Sequence, residues 1–291
     1  MIWKNYYSLE DTFGDIINKA QSGLKISDEE LCEKAGISSE QLNKAQIGQY
    51  DHTRDEEEAV KKIATVLKLD PENLFRITIK KWMPEHIEIK GVKQYTSKYF
   101  HMTVNTYAVW DPQTLKGVIF DTGTHCWDMN HDIWERNVRP ELLLLTHAHA
   151  DHIREIKYIL QSFPDIKIYI HKDEFIDTDE DEYLNKAEPI TEGIEFKVGN
   201  LTIQTRKTYG HTAGGLTYVI HGLEKPVAVI GDTIFAGSIG RPLLSYEDAM
   251  RTNKKEILSL PDDTILCPGH GPMTTVAEEK KYNPFFSLDY K

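Results

Sequence analysis

The stretch Thr146-His147-Ala148-His149-Ala150-Asp151-His152 places three imidazoles and one carboxylate within six consecutive positions. The aliphatic run at residues 142–145 comes immediately before it and predicts a buried strand. The polar residues then follow the carboxyl end of a strand, where open α/β sheets place their chemistry. Neutral imidazole nitrogens and carboxylate oxygens are ligands suited to zinc, iron or manganese. The sequence therefore predicts a metal site at the end of this strand.

The spacing within this stretch allows a second ion beside the first. His147 and His149 are two positions apart, so in extended backbone their side chains point the same way and can hold one ion. Asp151 and His152 come just after the turn and can reach a second ion beside the first. The alternative is a polar loop with chance histidines, and four ligand-type residues at these intervals argue against it.

The stretch His147-x-His149-x-Asp151-His152 resembles the signature motif of the metallo-β-lactamase superfamily. Four further motifs resemble that family's pattern, in the family's order: Phe120-Asp121-Thr122-Gly123, Gly210-His211-Thr212, Gly231-Asp232-Thr233 and Pro268-Gly269-His270-Gly271. The resemblance covers roughly residues 85–285. It implies an α/β fold, the αββα sandwich, in which two mixed sheets face each other, helices cover both outer faces and the metals lie at one edge. Periodicity alone indicates only an α/β domain.

The resemblance also implies a role for each residue of the motifs. His147, His149 and His211 would hold the first ion. Asp151, His152 and His270 would hold the second, and Asp232 would bridge the two. Zinc is the favoured metal for both positions, with iron and manganese as alternatives. Two such cations roughly 3.5–4 Å apart can share a water and lower its pKa toward 7. Asp151 would orient that water as a catalytic residue, and Asp121 would accept a hydrogen bond from one of the ligand histidines.

The aspartate at position 232 distinguishes among members of the family. The family's β-lactamases lack a bridging aspartate there, whereas glyoxalase II, lactonases, persulfide dioxygenases and nucleases have one. Residues 231–241 are most similar to small thioesterases of the glyoxalase II kind. This resemblance implies a hydrolase of a thioester or related small ester, with a metal-bridging hydroxide as nucleophile. The alternatives are a mononuclear iron persulfide dioxygenase that uses His147, His211 and Asp232, a lactonase or phosphodiesterase, and a DNA-binding regulator with a ligand-sensing metal domain.

Two further residues are candidates for binding the small-molecule substrate. Arg241 follows the fourth motif and could bind a substrate carboxylate through two parallel hydrogen bonds. A structural salt bridge is an equally good explanation of Arg241. His125 lies four positions after Asp121, on a loop that we expect to border the site.

Composition limits the classes of partner. The chain has 291 residues and a formal net charge of −12, which disfavours general affinity for nucleic acid or an anionic membrane. No segment has the roughly 18 consecutive apolar residues of a membrane span, and the start lacks the basic and apolar regions of a signal peptide. The three cysteines, Cys32, Cys126 and Cys267, are scattered and indicate reduced thiols in a cytoplasmic protein.

The length predicts two domains, a small all-α domain at residues 1–78 and the catalytic domain at residues 79–291. Helices joined through Gly36-Ile37-Ser38 resemble a repressor-type helix-turn-helix, in which the helix after Ser38 would read DNA through Gln41, Asn43 and Gln46. Residues 1–78 contain 10 basic and 15 acidic residues, so charge disfavours DNA binding. We expect the domain instead to pack over the metal pocket or to form a homo-oligomer, using the apolar start at Ile2, Trp3, Tyr6 and Tyr7.

Overall fold

The computed structural model describes residues 8–175 and 182–291. The first of its two large sheets has six strands in the order β1-β2-β3-β4-β5-β6. β1 to β3 are antiparallel and β3 to β6 are parallel. The strands are β1 Val92–Tyr99, β2 Met102–Trp110, β3 Lys116–Phe120, β4 Arg139–Leu144, β5 Lys167–His171 and β6 Glu188–Ile190.

The second large sheet also has six strands, in the order β14-β13-β10-β9-β8-β7. Only β10 and β13 pair in parallel. Its strands are β7 Glu195–Val198, β8 Leu201–Lys207, β9 Leu216–His221, β10 Val227–Gly231, β13 Ile265–Pro268 and β14 Thr274–Thr275, and a short hairpin of β11 Ile234–Phe235 and β12 Ser238–Ile239 follows β10.

The aliphatic run before the metal-ligand stretch is a buried strand, as predicted, and it serves two cores. Successive strand side chains point to opposite faces of a sheet. Leu142 and Leu144 accordingly enter the core between the two sheets, which Phe120 and Tyr218 also fill. Leu143 and Leu145 face the other way, into a core beneath the outer helices. Burial on both faces explains why this strand is continuously apolar rather than alternating.

Two helices cover the outer face of the first sheet. They are α6 Trp127–Glu135 and α8 Ile156–Ser162, and the short helix α7 Ala150–Ile153 lies before α8. The sequence predicts one helix over residues 153–160, but a turn at Arg154 and Glu155 interrupts the helix. The break separates the turn that carries Asp151 and His152 from the helix that packs on the sheet.

Between residue 8 and the first sheet the structure has five helices: α1 Phe13–Leu24, α2 Asp28–Ala35, α3 Ser39–Gln46, α4 Arg54–Val66 and α5 Pro71–Thr78. Their starts follow the capping chemistry that the sequence indicates. Ser38 and Gln41 form a reciprocal capping box, and Asp70 caps α5 with Pro71 in its first turn. Ser27 caps α2 through the amide of Glu30. We refer to residues 8–78 as the helical module.

The helical module packs on the outer face of the second sheet. Ile17, Leu42, Leu74 and other buried module residues share one apolar cluster with sheet residues such as Ala228 and Leu266. The helix α9 Tyr246–Thr252, which continues as a π-helical turn Asn253–Ile257, and the helix α10 Val276–Tyr282 complete this layer. The order of layers is therefore helix, sheet, sheet, helix, which is the αββα sandwich with an all-α region before it. Among the described residues, no helix is long and apolar enough to cross a bilayer.

Several polar side chains of the helix after Ser38 form hydrogen bonds or ion pairs with other residues of the same chain. Gln46 donates hydrogen bonds to Gln21 and Asp28 at 2.9 Å each, and Gln41 accepts the amide of Ser38. Lys44 pairs with two carboxylates, those of Asp51 and Glu56. Asn43 is exposed. The apolar start at Ile2, Trp3, Tyr6 and Tyr7 lies outside the described residues.

Candidate metal centre

Parallel strand pairing brings the polar residues of distant segments to one edge of the sandwich. β3 pairs in parallel with β4, so Asp121 lies beside the start of the ligand stretch. β10 pairs in parallel with β13, so the residues that follow them, Asp232 and His270, lie side by side. A hydrogen bond joins the two sheets near this edge: the Tyr107 hydroxyl in the first sheet donates to the Pro268 carbonyl in the second at 2.8 Å.

The first group of possible ligands comprises His147, His149, His211 and Asp232. His149 Nδ1 lies 3.0 Å from His147 Nε2 and 3.0 Å from His211 Nε2. The Oδ2 atom of Asp232 lies 3.5 Å from His211 Nε2. Three imidazole nitrogens and a carboxylate oxygen therefore converge on one small space.

The second group comprises Asp151, His152 and His270, all buried. His270 Nε2 lies 3.5 Å from Asp151 Oδ2, and His152 Nε2 lies 3.8 Å from the same oxygen. Asp232 also reaches this group, with Oδ1 at 3.4 Å from His152 and Oδ2 at 3.2 Å from His270. The carboxylate of Asp232 thus touches both groups, which is the placement that a bridging ligand requires.

The donor set fits a pair of divalent cations. Buried polar atoms are normally hydrogen-bonded, yet His152 Nε2 and Asp232 Oδ1 are buried with no hydrogen-bond partner. Burial and the neighbouring His152 hold the pKa of His147 well below its usual range, which keeps this imidazole neutral. Burial raises the pKa of Asp232, but His270 and His152 outweigh it and hold this pKa well below its usual range. Neutral imidazole and ionised carboxylate are the forms that bind metal. Burial lowers the pKa of His152 and of His270, but the Asp232 carboxylate outweighs it and raises both, so these two imidazoles would release protons when metal binds.

Three of the five clustered histidines, His152, His211 and His270, have a fixed acceptor for the ring nitrogen that faces away from the centre. Asp121 Oδ2 lies 2.8 Å from His152 Nδ1, and Asp121 also accepts both the amide and the hydroxyl of Thr146. His211 Nδ1 donates to the carbonyl of Arg241 at 2.6 Å. His270 Nδ1 donates to the carbonyl of Thr103. These contacts orient each ring so that its other nitrogen faces the centre.

Gly269 allows the backbone of the last motif to approach the ligand side chains closely. A Cβ atom at this position would lie 2.1 Å from Asp232 Oδ1 and 2.8 Å from His152 Cε1. Both distances are far shorter than a van der Waals contact, so any larger residue would displace the carboxylate. The backbone of the last motif and the ligand side chains are therefore packed directly against one another.

The profile of the family described as the Metallo-beta-lactamase superfamily matches residues 101–270. The chain belongs to this superfamily. The match spans the ligand stretch and extends to the last ligand, His270, and it leaves the helical module outside. Membership agrees with the layer order and supports the binding of divalent metal by the clustered histidines and aspartates.

Individual relatives resemble the chain over the same portion. The chain is 31% identical over 198 residues to the "Probable metallo-hydrolase YqgX" of Bacillus subtilis, covering 62% of this chain and 90% of the relative. It is 30% identical over 200 residues to the "Hydroxyacylglutathione hydrolase GloC" of Haemophilus influenzae, covering 63% and 92%. The crystal structure of TTHA1623 in a di-iron-bound form has a TM-score of 0.54 and 25% identity, covering 66% of this chain and 100% of that one.

One buried residue beside the metal-ligand loops, Glu174, belongs to none of the sequence motifs. Glu174 follows β5, at the same edge as the ligand stretch, and is 8% exposed. Its carboxylate accepts the amide of Ala148 at 2.8 Å and the amide of Gly214 at 2.7 Å. Ala148 lies between two ligand histidines, and Gly214 lies three residues after His211. Glu174 therefore ties together the two loops that carry the first group. An acidic residue at the carboxyl end of a strand is the signal that could have indicated it.

The two candidates for substrate binding lie outside the cluster of possible metal ligands. The side chain of Arg241 is exposed, and this residue contributes its carbonyl to the orientation of His211. His125 is exposed on the loop before α6. Neither side chain belongs to the seven clustered residues, so the direct structural evidence for Arg241 concerns its backbone alone.

Proposed function

We propose that this member of the superfamily is a dinuclear metal-dependent hydrolase of a thioester or a related small ester. The observation that carries the proposal is the carboxylate of Asp232, which lies within 3.5 Å of ligand nitrogens in both groups. The name of the Haemophilus influenzae relative, a hydroxyacylglutathione hydrolase, supports a thioester as the substrate class. Zinc is the metal that we favour, with iron and manganese as alternatives.

The protein residues would divide the work as follows. When bound, the metal pair would supply a nucleophile from water at neutral pH and polarise the substrate carbonyl. Asp151 lies near His152 and His270 and would accept a proton and orient the attacking group. Asp121 and the carbonyls of Thr103 and Arg241 would hold the imidazoles in position throughout. Substrate binding by the exposed side chains of Arg241 and His125 stays a prediction.

A second candidate is a mononuclear iron persulfide dioxygenase. The observation that favours it is the first group itself, because His147, His211 and Asp232 can hold one ion without the second group. The two candidates predict different metal contents, so composition and turnover together distinguish them.

The test combines metal analysis of the purified protein with two turnover assays. We expect two metal ions per chain and hydrolysis of S-lactoylglutathione. One iron per chain with oxygen uptake on glutathione persulfide would replace the proposal with the dioxygenase. Two metals without thioester turnover would overturn the thioester class and direct the search to lactones and phosphodiesters.

A further inference from the structure

The segment before α1 brings the helical module to the second group of ligands. Glu10 lies against the last motif, where a Cβ atom on Gly271 would be 3.3 Å from the Cβ of Glu10. Gly271 also has a φ of +74°, a conformation that glycine adopts readily. Glu10 Oε1 lies 4.0 Å from His270 Nδ1, and the glutamate side chain is only 13% exposed.

A relay of contacts connects Glu10 to the orientation of His270. The Thr103 hydroxyl donates to Glu10 Oε2 at 3.2 Å. The carbonyl of the same threonine accepts the Nδ1 proton of His270. Glu10 therefore faces the back of the imidazole and also holds the residue that orients it. A negative charge behind a ligand histidine raises the basicity of the histidine toward a metal.

Neighbouring residues fix the segment on the sheet and keep Glu10 in place. Asp11 pairs with Lys19 of α1 and accepts the hydroxyl of Ser238, in the hairpin that follows Asp232. Lys19 also donates to the carbonyl of Ile239 at 2.8 Å and lies 4.9 Å from the ring centroid of Phe235. The Phe235 ring in turn lies 5.3 Å from that of His270. The side chains of Asp11 and Lys19 are 11% and 9% exposed, so these links are largely shielded from water.

We propose that Glu10 is a positioning residue for the metal centre, supplied by the helical module. The inference rests on the proposed metal centre but not on the identity of the substrate. It gives the module a part in metal binding, although the module lies outside the portion of the chain that matches the superfamily. The purely structural alternative is that Glu10 only packs against Gly271 and contributes no charge to His270.

The test measures metal binding by full-length variants. Glu10→Gln removes the charge and keeps the shape and an acceptor for Thr103. Metal-free wild-type and variant chains are titrated with Zn²⁺ against a chromophoric chelator to obtain both dissociation constants. We expect one constant to rise by about 10- to 100-fold in Glu10→Gln and the other to stay unchanged. The control is Glu29→Gln, which makes the same charge change at an exposed position of the module and should bind like wild type.

Two further measurements separate positioning from packing. With Co²⁺ in place of Zn²⁺, the visible absorption bands of the weakened site should shift in Glu10→Gln, because the basicity of His270 changes. Thermal unfolding of the metal-free proteins should leave Glu10→Gln close to wild type. Unchanged dissociation constants and bands in Glu10→Gln would overturn the proposal, whatever the unfolding temperature. A protein that binds two ions and hydrolyses no thioester would refute the proposed function and leave this inference standing.

Discussion

A buried glutamate, Glu279 of α10, should make the stability of the protein depend on pH. Its side chain is fully buried, and three groups donate to it: the Asn283 amide at 2.7 Å, the Thr274 hydroxyl at 2.8 Å and the Gly237 amide at 3.1 Å. Burial nevertheless dominates and raises the pKa of Glu279 from 4.5 to about 8. Glutamine has the same shape as the protonated acid, so Glu279→Gln isolates the effect of the charge.

The sign and size of the pH effect on folding stability follow from the pKa values of Glu279 in the unfolded and the folded chain. Below pH 4.5 both the folded and the unfolded chain hold the proton, and the carboxyl costs nothing. Between pH 4.5 and about 8 the unfolded chain releases the proton while the folded chain keeps it, so stability falls as pH rises. At about 1.36 kcal/mol per pH unit, the whole interval corresponds to about 5 kcal/mol. Above the folded pKa the loss is complete and constant.

The assay is urea unfolding of wild type and Glu279→Gln at pH 5, 6, 7 and 8. The difference between the two proteins cancels the titration of the histidines, which both proteins share. We expect the variant to gain stability relative to wild type by about 4 kcal/mol between pH 5 and pH 8. The control is Glu224→Gln, at an exposed position, whose free energy of unfolding should change with pH in the same way as that of wild type. Parallel curves for Glu279→Gln and wild type would refute the reasoning.

Four other predictions concern the centre and the module. Asp232→Ala should lose both metals by elemental analysis, and retention of two ions would show that Asp232 does not bridge. Gly269→Ala should weaken metal binding by at least about 10-fold, because its Cβ would lie 2.1 Å from Asp232 Oδ1. A dissociation constant for metal equal to that of wild type would contradict this packing. Glu174→Gln should lower the free energy of unfolding in urea by about 1–3 kcal/mol, since one amide oxygen cannot serve both loop N–H groups. An unchanged unfolding midpoint would show that Glu174 does not stabilise the two loops. The intact chain should not shift a DNA duplex at low salt, and tight, sequence-selective retention would make it a regulator.

Local signals in the sequence were sufficient for the elements whose residues carry a strong pattern. The run at residues 142–145 is buried on both faces, and its composition reflects that burial directly. The helix α5 starts at Asp70-Pro71, where capping chemistry is local. The ligand set came from motif order, and the structure brings all seven of those residues together. Patterns that depend on near neighbours were therefore the predictable part.

Elements with weak local patterns were missed. β1 has polar residues at most positions and lies at the edge of its sheet, so only one of its residues is buried. α6 starts without a side-chain cap and contributes only Met129 and Ile133 to the core, which is too few for a clear helical period. Glu10 could not be predicted, because its significance depends on contacts with residues distant in the sequence.

The position of the helical module changes how its role must be tested. Each sheet of the sandwich needs a cover for its outer apolar face, and the module supplies much of that cover for the second sheet. Removing residues 1–78 would take the module residues out of the apolar cluster that they share with Val219, Ala228 and Leu266, so we expect a truncated chain to misfold rather than to reveal the role of the module. In the described part of the module much of the apolar surface already packs on its own chain, and Ile47 is a large apolar residue that stays exposed there. Oligomer formation through the module stays a prediction, and light scattering of the intact chain tests it without disturbing the shared core.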